Sequence, residues 1–168
     1  MALNQSFDVT CGCDLQEVDN AVNQTLKELG QRFDFKGLKI GIELRRAENL
    51  VVLAAPDEFK LKAMWEVLLG RMTRRGVAVK NLKAGAVQPA AGGTLRLEVT
   101  LQQGVPAETA RAIVKFVKDR RLKKVQVAIQ GDQLRVSSPS RDELQEVIAA
   151  LKEEDFGIEL TFGNYRSQ

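Results

Sequence analysis

The pattern of this chain occurs twice. From Phe7 to about Leu82, and again from Leu95 to Phe162, alternating and helical periodicities follow one another as strand, helix, strand, strand, helix, strand. That order is the βαββαβ ferredoxin-like unit, a four-stranded antiparallel sheet with two helices on one face. The predicted fold is α+β, a tandem duplication of this unit with domains at 1–90 and 91–168. Each sheet leaves its other face bare, and a bare polar face is a platform for a ligand. Two small units in 168 residues are also expected to pack together, because small domains are marginal without a shared seam.

The elements follow from period and punctuation. Phe7, Val9 and Cys11 alternate with Ser6, Asp8 and Thr10, a half-buried strand. Asp14 and Glu17 open a helix whose stripe runs Leu15, Val18, Val22, Leu26, Leu29 and Phe33. A hairpin over Lys39–Arg45 and Leu50–Ala55 precedes a helix begun at Pro56 and Asp57 and closed by Gly76, with Phe59, Met64, Trp65, Leu68, Leu69 and Met72 inward. Val77–Leu82 reads as the fourth strand, and the glycine- and proline-rich stretch from Gly85 to Gly93 as the linker. In the second copy, Leu95–Leu101 is a strand and Pro106 starts a helix carrying Ala110, Ile113, Val114 and Val117. A hairpin then turns at Gly131-Asp132, and Ser140 with Glu143 forms a capping box for the last helix.

Composition removes several classes of function. Cys11 and Cys13 are the only cysteines, and with no histidine to complete a zinc site they read as structural thiols near a strand end. The missing histidine also removes the commonest general base, and no HExxH, GxxxxGK[ST] or GxSxG motif is present, so the chain is expected not to be an enzyme and to carry no cofactor. Its start lacks the basic and apolar segments of a signal peptide, and its apolar runs are too short to span a bilayer. A soluble, cytoplasmic protein without a membrane partner is expected.

A net charge of +3 is no overwhelming field, so local placement must carry any electrostatic argument. Lys115, Lys118, Arg120, Arg121, Lys123 and Lys124 form the densest run, interrupted only by Asp119. Part of such a run at a helix C-terminus complements the helix dipole, and the surplus reads as a patch for phosphate. If the alternating apolar residues face the helices, the bare face of the second half shows Arg96, Thr100, Gln126, Gln130, Arg135 and Ser137. The expected nucleotide-binding residues are therefore this basic run with Arg96, Gln126, Gln130 and Arg135. An ordinary solvated sheet is the alternative. The third strands, Leu50–Ala55 and Leu134–Ser138, contain none of the aromatics that stack bases in an RNA-recognition motif, so contacts to phosphate, ribose or base edges are favoured.

Ser6-Phe7-Asp8-Val9, Arg32-Phe33-Asp34-Phe35-Lys36-Gly37, Gln103-Gly104-Val105, Ile129-Gln130-Gly131-Asp132, Arg141-Asp142-Glu143-Leu144-Gln145 and Asn164-Tyr165-Arg166 together resemble the YajQ family, small bacterial nucleotide-binding proteins. The likeness spans nearly the whole chain. It implies tandem domains of the RNA-binding-protein type, with the leading strands exchanged so that strand 6–11 pairs in the second domain and strand 94–102 in the first. Periodicity alone accepts either sheet. The implied ligand is RNA or a nucleotide, and cyclic di-GMP with a protein or transcription partner is the alternative; pairing of copies through bare sheets is a further reading. Relatives commonly have Ser-Glu-x-Asp where this chain has Cys11-Gly12-Cys13-Asp14, a cation where it has Gln102, and a Lys within the loop Ser138-Pro139-Ser140. These departures imply weaker polyanion binding than in relatives. Within Arg32–Gly37, packing is the favoured role over ligand contact by Phe35 and Lys36.

Overall fold

The computed structural model describes residues 4–167. Along the chain run β1 (Gln5–Thr10), α1 (Leu15–Gln31), β2 (Gly41–Arg45), β3 (Leu50–Ala55), α2 (Glu58–Arg74), β4 (Leu82–Ala84), β5 (Gln88–Pro89) and β6 (Leu95–Leu101). There follow α3 (Ala107–Asp119), β7 (Gln126–Gln130), β8 (Gln133–Ser138), α4 (Arg141–Glu153) and β9 (Thr161–Ser167). The architecture is α+β with two antiparallel sheets. One compact unit comprises the chain up to Cys11 and from Gly104 onward; the other is Gly12–Gln103.

In the first unit the sheet order is β7-β8-β1-β9. β1 lies in the middle, with Phe7 opposite Val136 on one side and Val9 opposite Phe162 on the other. The inward set Phe7, Val9, Leu134 and Val136 meets the stripes Ala110, Ile113, Val117 of α3 and Leu144, Val147, Ile148, Leu151 of α4 in one core. Ser140 Oγ accepts from Glu143 N at 3.3 Å, the first half of the expected capping box. The reciprocal half is not made: Ser140 N donates instead to Ser138 Oγ at 3.0 Å, and Glu143 Oε2 is buried with no partner.

In the second unit the order is β2-β3-β6-β4, with β5 continuing along the β4 side of β6. Its helices enter on aspartate caps: Asp14 Oδ1 accepts from Gln16 N at 3.0 Å, and Asp57 Oδ1 from Lys60 N at 2.8 Å. Val18, Leu29, Leu61, Met64, Leu68 and Met72 bury against Val51, Leu53, Leu97 and Val99. Trp65 is half-buried at the edge of this core.

Several expectations are corrected here. Arg96 and Thr100 belong to β6, so they sit in the Gly12–Gln103 unit and not on the sheet that carries Gln126 and Arg135. Val77–Leu82 is not a strand: Val79–Asn81 forms a 3₁₀ turn, and pairing to β6 starts at Leu82. The Gly85–Gly93 stretch stays within that unit, where Gly85 N donates to Glu98 O at 2.8 Å and Gln88–Pro89 pairs with β6. Phe33 does not end the α1 stripe. α1 stops at Gln31, Arg32 is extended, and the phase resets in a 3₁₀ turn that buries Phe35 and leaves Phe33 90% exposed. Phe59 is 78% exposed because it stands two residues before buried Leu61, roughly 200° around the helix.

Gly104 is a glycine by necessity. Its φ is +79°, its N–H donates to Cys11 O at 2.8 Å, and a Cβ there would come within 2.5 Å of Asp132 Oδ2. Gly157 in the same unit has φ +83° but open space around it. Gly157→Ala is expected to carry only the left-handed backbone cost of about 1–2 kcal/mol. Gly104→Ala should exceed it, because Asp132 is held by the bond from Val105 N to its carbonyl at 2.7 Å. Equal urea midpoints for the two variants would mean that the Asp132 approach is not felt.

Candidate functional site

The open face of the first unit is built by alternation. Ser6, Asp8 and Thr10 on β1 stand beside Ser137, Arg135 and Gln133 on β8, and these beside Gln126, Ala128 and Gln130 on β7. At the centre is a neutralised cluster. Asp8 is 4% exposed, and Arg135 Nε donates to its Oδ1 at 2.9 Å while Asn164 Nδ2 donates to Oδ2 at 2.6 Å. A second Arg135 nitrogen lies 3.4 Å from Oδ2. Arg135, expected among the nucleotide-binding residues of the bare face, is thus committed to a buried carboxylate, and its charge is largely balanced.

The Arg135 hydrogen bond holds the Asp8 carboxyl below the usual carboxylate range; burial pushes the other way, and the Asn164 bond and the nearby Arg135 and Arg166 charges restore the depression. A carboxyl depressed in the folded state contributes stability that is present above its unfolded value of about 3.9 and lost as pH falls through the lower folded value. Asp8→Asn should therefore be less stable than the parent at neutral pH, with the difference shrinking below about pH 4. A constant difference down to strong acid, measured by denaturant unfolding, would contradict the pairing.

The basic run sits where α3 hands over to β7. Lys118, Arg121 and Lys123 line one recess of about 570 Å³ together with Gln126. Lys115 lies further back on α3, while Arg120 turns its guanidinium toward the Phe116 ring, 5.8 Å from its centroid. Lys124 is exposed on the same connection, and Gln130 is exposed at the hairpin end of β7. None of the six cations makes an ion pair within 4.0 Å among the described residues. Arg121 has φ +57°, a left-handed position just past a helix end that glycine usually fills. Arg96, in the other unit, pairs with Glu98 and leaves its Nε buried without a partner. Of the expected residues, the fold therefore brings together Lys118, Arg121, Lys123 and Gln126, and occupies Arg135 and Arg96 with local acids.

Both thiols are buried and neither is in a disulfide; burial, then the Glu159 charge, pushes Cys11 up, making its thiolate scarce. Among the described residues no cluster of three or more His, Cys, Asp or Glu could hold a metal, and no helix is long and apolar enough to cross a membrane.

Comparison with known proteins places this geometry in a family. The chain is 48% identical over 164 residues to a nucleotide-binding protein of Koribacter versatilis, covering 98% of each chain. It is 50% identical over 161 residues to one of Magnetococcus marinus, covering 96% of this chain and 98% of the relative. A nucleotide-binding protein of Heliobacterium modesticaldum is 47% identical over 167 residues. The family model described as nucleotide-binding protein YajQ-like matches residues 5–166, and the chain belongs to that family.

Proposed function

We propose that this protein is a non-catalytic, cytoplasmic nucleotide binder that captures phosphate groups, above all those of single-stranded RNA, at the end of α3. The observation that carries this reading is the recess in which Lys118, Arg121 and Lys123 stand together, without ion pairs among the described residues, beside Gln126. Three uncompensated cations make a counterion-release site, and a neighbouring amide adds contacts to ribose or base edges. The strained turn supports it further. An arginine held at positive φ costs about 1–2 kcal/mol that glycine would not.

The scaffold belongs to the same reading. In the first unit the strand order, taken from the other edge as β9-β1-β8-β7, and the two helices on one face support a ferredoxin-like unit. In the second, β6 takes the place that β1 holds in the first, which supports a duplication with its leading strands exchanged. The test is fluorescence anisotropy with labelled single-stranded RNA over a salt series. Affinity should fall with salt in proportion to the phosphates neutralised; affinity insensitive to salt would end the proposal. Cyclic di-GMP as competitor separates the small-ligand regulator: stoichiometric displacement of RNA would favour that reading.

A further inference from the structure

Two segments that carry the family resemblance, Arg141–Gln145 and Asn164–Arg166, are not used by the basic recess, and folding brings them to one place. Arg141, Leu144, Gln145 and Ile148 of α4 face Tyr165 of β9 across a cleft of about 360 Å³, with Phe7 as part of its floor. That volume is at the small end of the range of about 300–1,000 Å³ typical of small-molecule sites.

A strand irregularity shapes the cleft. β1 advances two residues from Ser6 to Asp8 while β9 spans three between their partners, Arg166 and Gly163, so β9 is bulged there. Asn164 takes the left-handed conformation at φ +53° and donates to Asp8 on the open face. The extra residue re-aims Tyr165 to the helix side, where its ring packs 6.2 Å from the Phe7 ring, tilted by 42°. Tyr165 stays 63% exposed, an aromatic shelf with a fixed underside and a free upper surface. The Arg141 side chain makes no ion pair or hydrogen bond among the described residues, while Arg166, opposite Ser6 in the ladder, lies toward Asp8 and Arg135 on the open face.

The geometry points to this cleft as a binding site for a single nucleotide, its base stacked on Tyr165 and its phosphate held by Arg141, with Gln145 at the base edge. An aromatic face opposite a guanidinium group suits a planar base bearing a phosphate better than an apolar ligand or a bare anion. A free nucleotide and the phosphorylated end of an RNA share this chemistry. The assignment deepens the reading of the chain as a nucleotide binder but does not use the basic recess.

Tyr165 is the only tyrosine in the chain, so isotope labelling of tyrosine rings gives a reporter on the cleft alone. Titration with GMP should produce a saturable shift of the ring resonances, and inorganic phosphate or ribose phosphate should not. Arg141→Ala should weaken GMP binding about tenfold or more. In calorimetry Tyr165→Phe should retain affinity and Tyr165→Ala lose it, which separates stacking from loss of packing. No ring shift at millimolar GMP, an equal shift with ribose phosphate, or unchanged affinity in Arg141→Ala would overturn the assignment. A short oligoribonucleotide with and without a terminal phosphate decides the source: tighter binding than GMP only when phosphorylated assigns the cleft to RNA ends, and the reverse to a free nucleotide. Protein carrying Lys118→Ala, Arg121→Ala and Lys123→Ala should keep the ring shift, and its disappearance would also overturn the assignment. A ring shift with GMP alongside salt-insensitive RNA affinity would instead defeat only the α3 recess.

Discussion

Phe7→Ala is expected to lower the unfolding free energy of the first unit by about 3–5 kcal/mol, a large part of what holds a small domain folded. Phe7 is fully buried, its ring 6.1 Å from that of Phe162 and 6.2 Å from that of Tyr165. It stands on a strand flanked by β8 and β9, so neighbours cannot close the gap without moving two ladders. The measurement is urea unfolding with two intrinsic reporters, the single tyrosine in the first unit and the single tryptophan, Trp65, in the second. The tyrosine transition should move to much lower denaturant. A shift worth less than about 1 kcal/mol would mean that β1 is not held in the middle of that sheet.

The largest effect on binding is expected from removing Lys118, Arg121 and Lys123 together as alanines. If each neutralises one phosphate of a single strand, the slope of log affinity against log salt becomes shallower by about 2, roughly 0.7 per contact. Affinity at low salt should fall about 10- to 100-fold, and nearly equally for all sequences, since phosphate contacts position without specifying. Arg121→Gly isolates one contribution. It should make the protein more stable, because glycine fits φ +57°, while weakening RNA binding. A variant that gains stability and loses no affinity would show that the turn holds its arginine for another reason.

Helix positions were legible in the sequence because each carries a full stripe and a recognisable start, a side-chain cap at Asp14, Asp57 and Ser140 and a proline at Pro106. What failed were places where the period changes. Phe33 continues the α1 spacing in sequence, but one extended residue at Arg32 ends the helix and hands burial to Phe35. Strand membership was less legible still, since Phe7–Val9 and Leu95–Leu101 alternate in a way either sheet accepts, and only the register assigns β6 to β3 and β4. That assignment takes Arg96 off the face where alternation seemed to place it. Arg135 was correctly read as outward-facing, but its partner Asp8 is 127 positions away, and no local pattern announces so distant a pairing. The grouping of Lys118, Arg121, Lys123 and Gln126 was legible because all four lie close together in sequence where α3 hands over to β7. The cleft at Tyr165 was not, because it depends on a bulge.

The placement of β1 sets an order of events during synthesis. Thr10 and Thr161, which face each other across the β1–β9 ladder, are 151 positions apart. At a ribosomal pace of about 5–20 residues per second, the strand waits roughly 8–30 seconds for that neighbour. Gly12–Gln103 is continuous in sequence and can condense meanwhile. The nascent chain therefore carries an unpaired, half-apolar strand ahead of that unit, the segment a holding chaperone would cover and the one through which two crowded copies would trade strands.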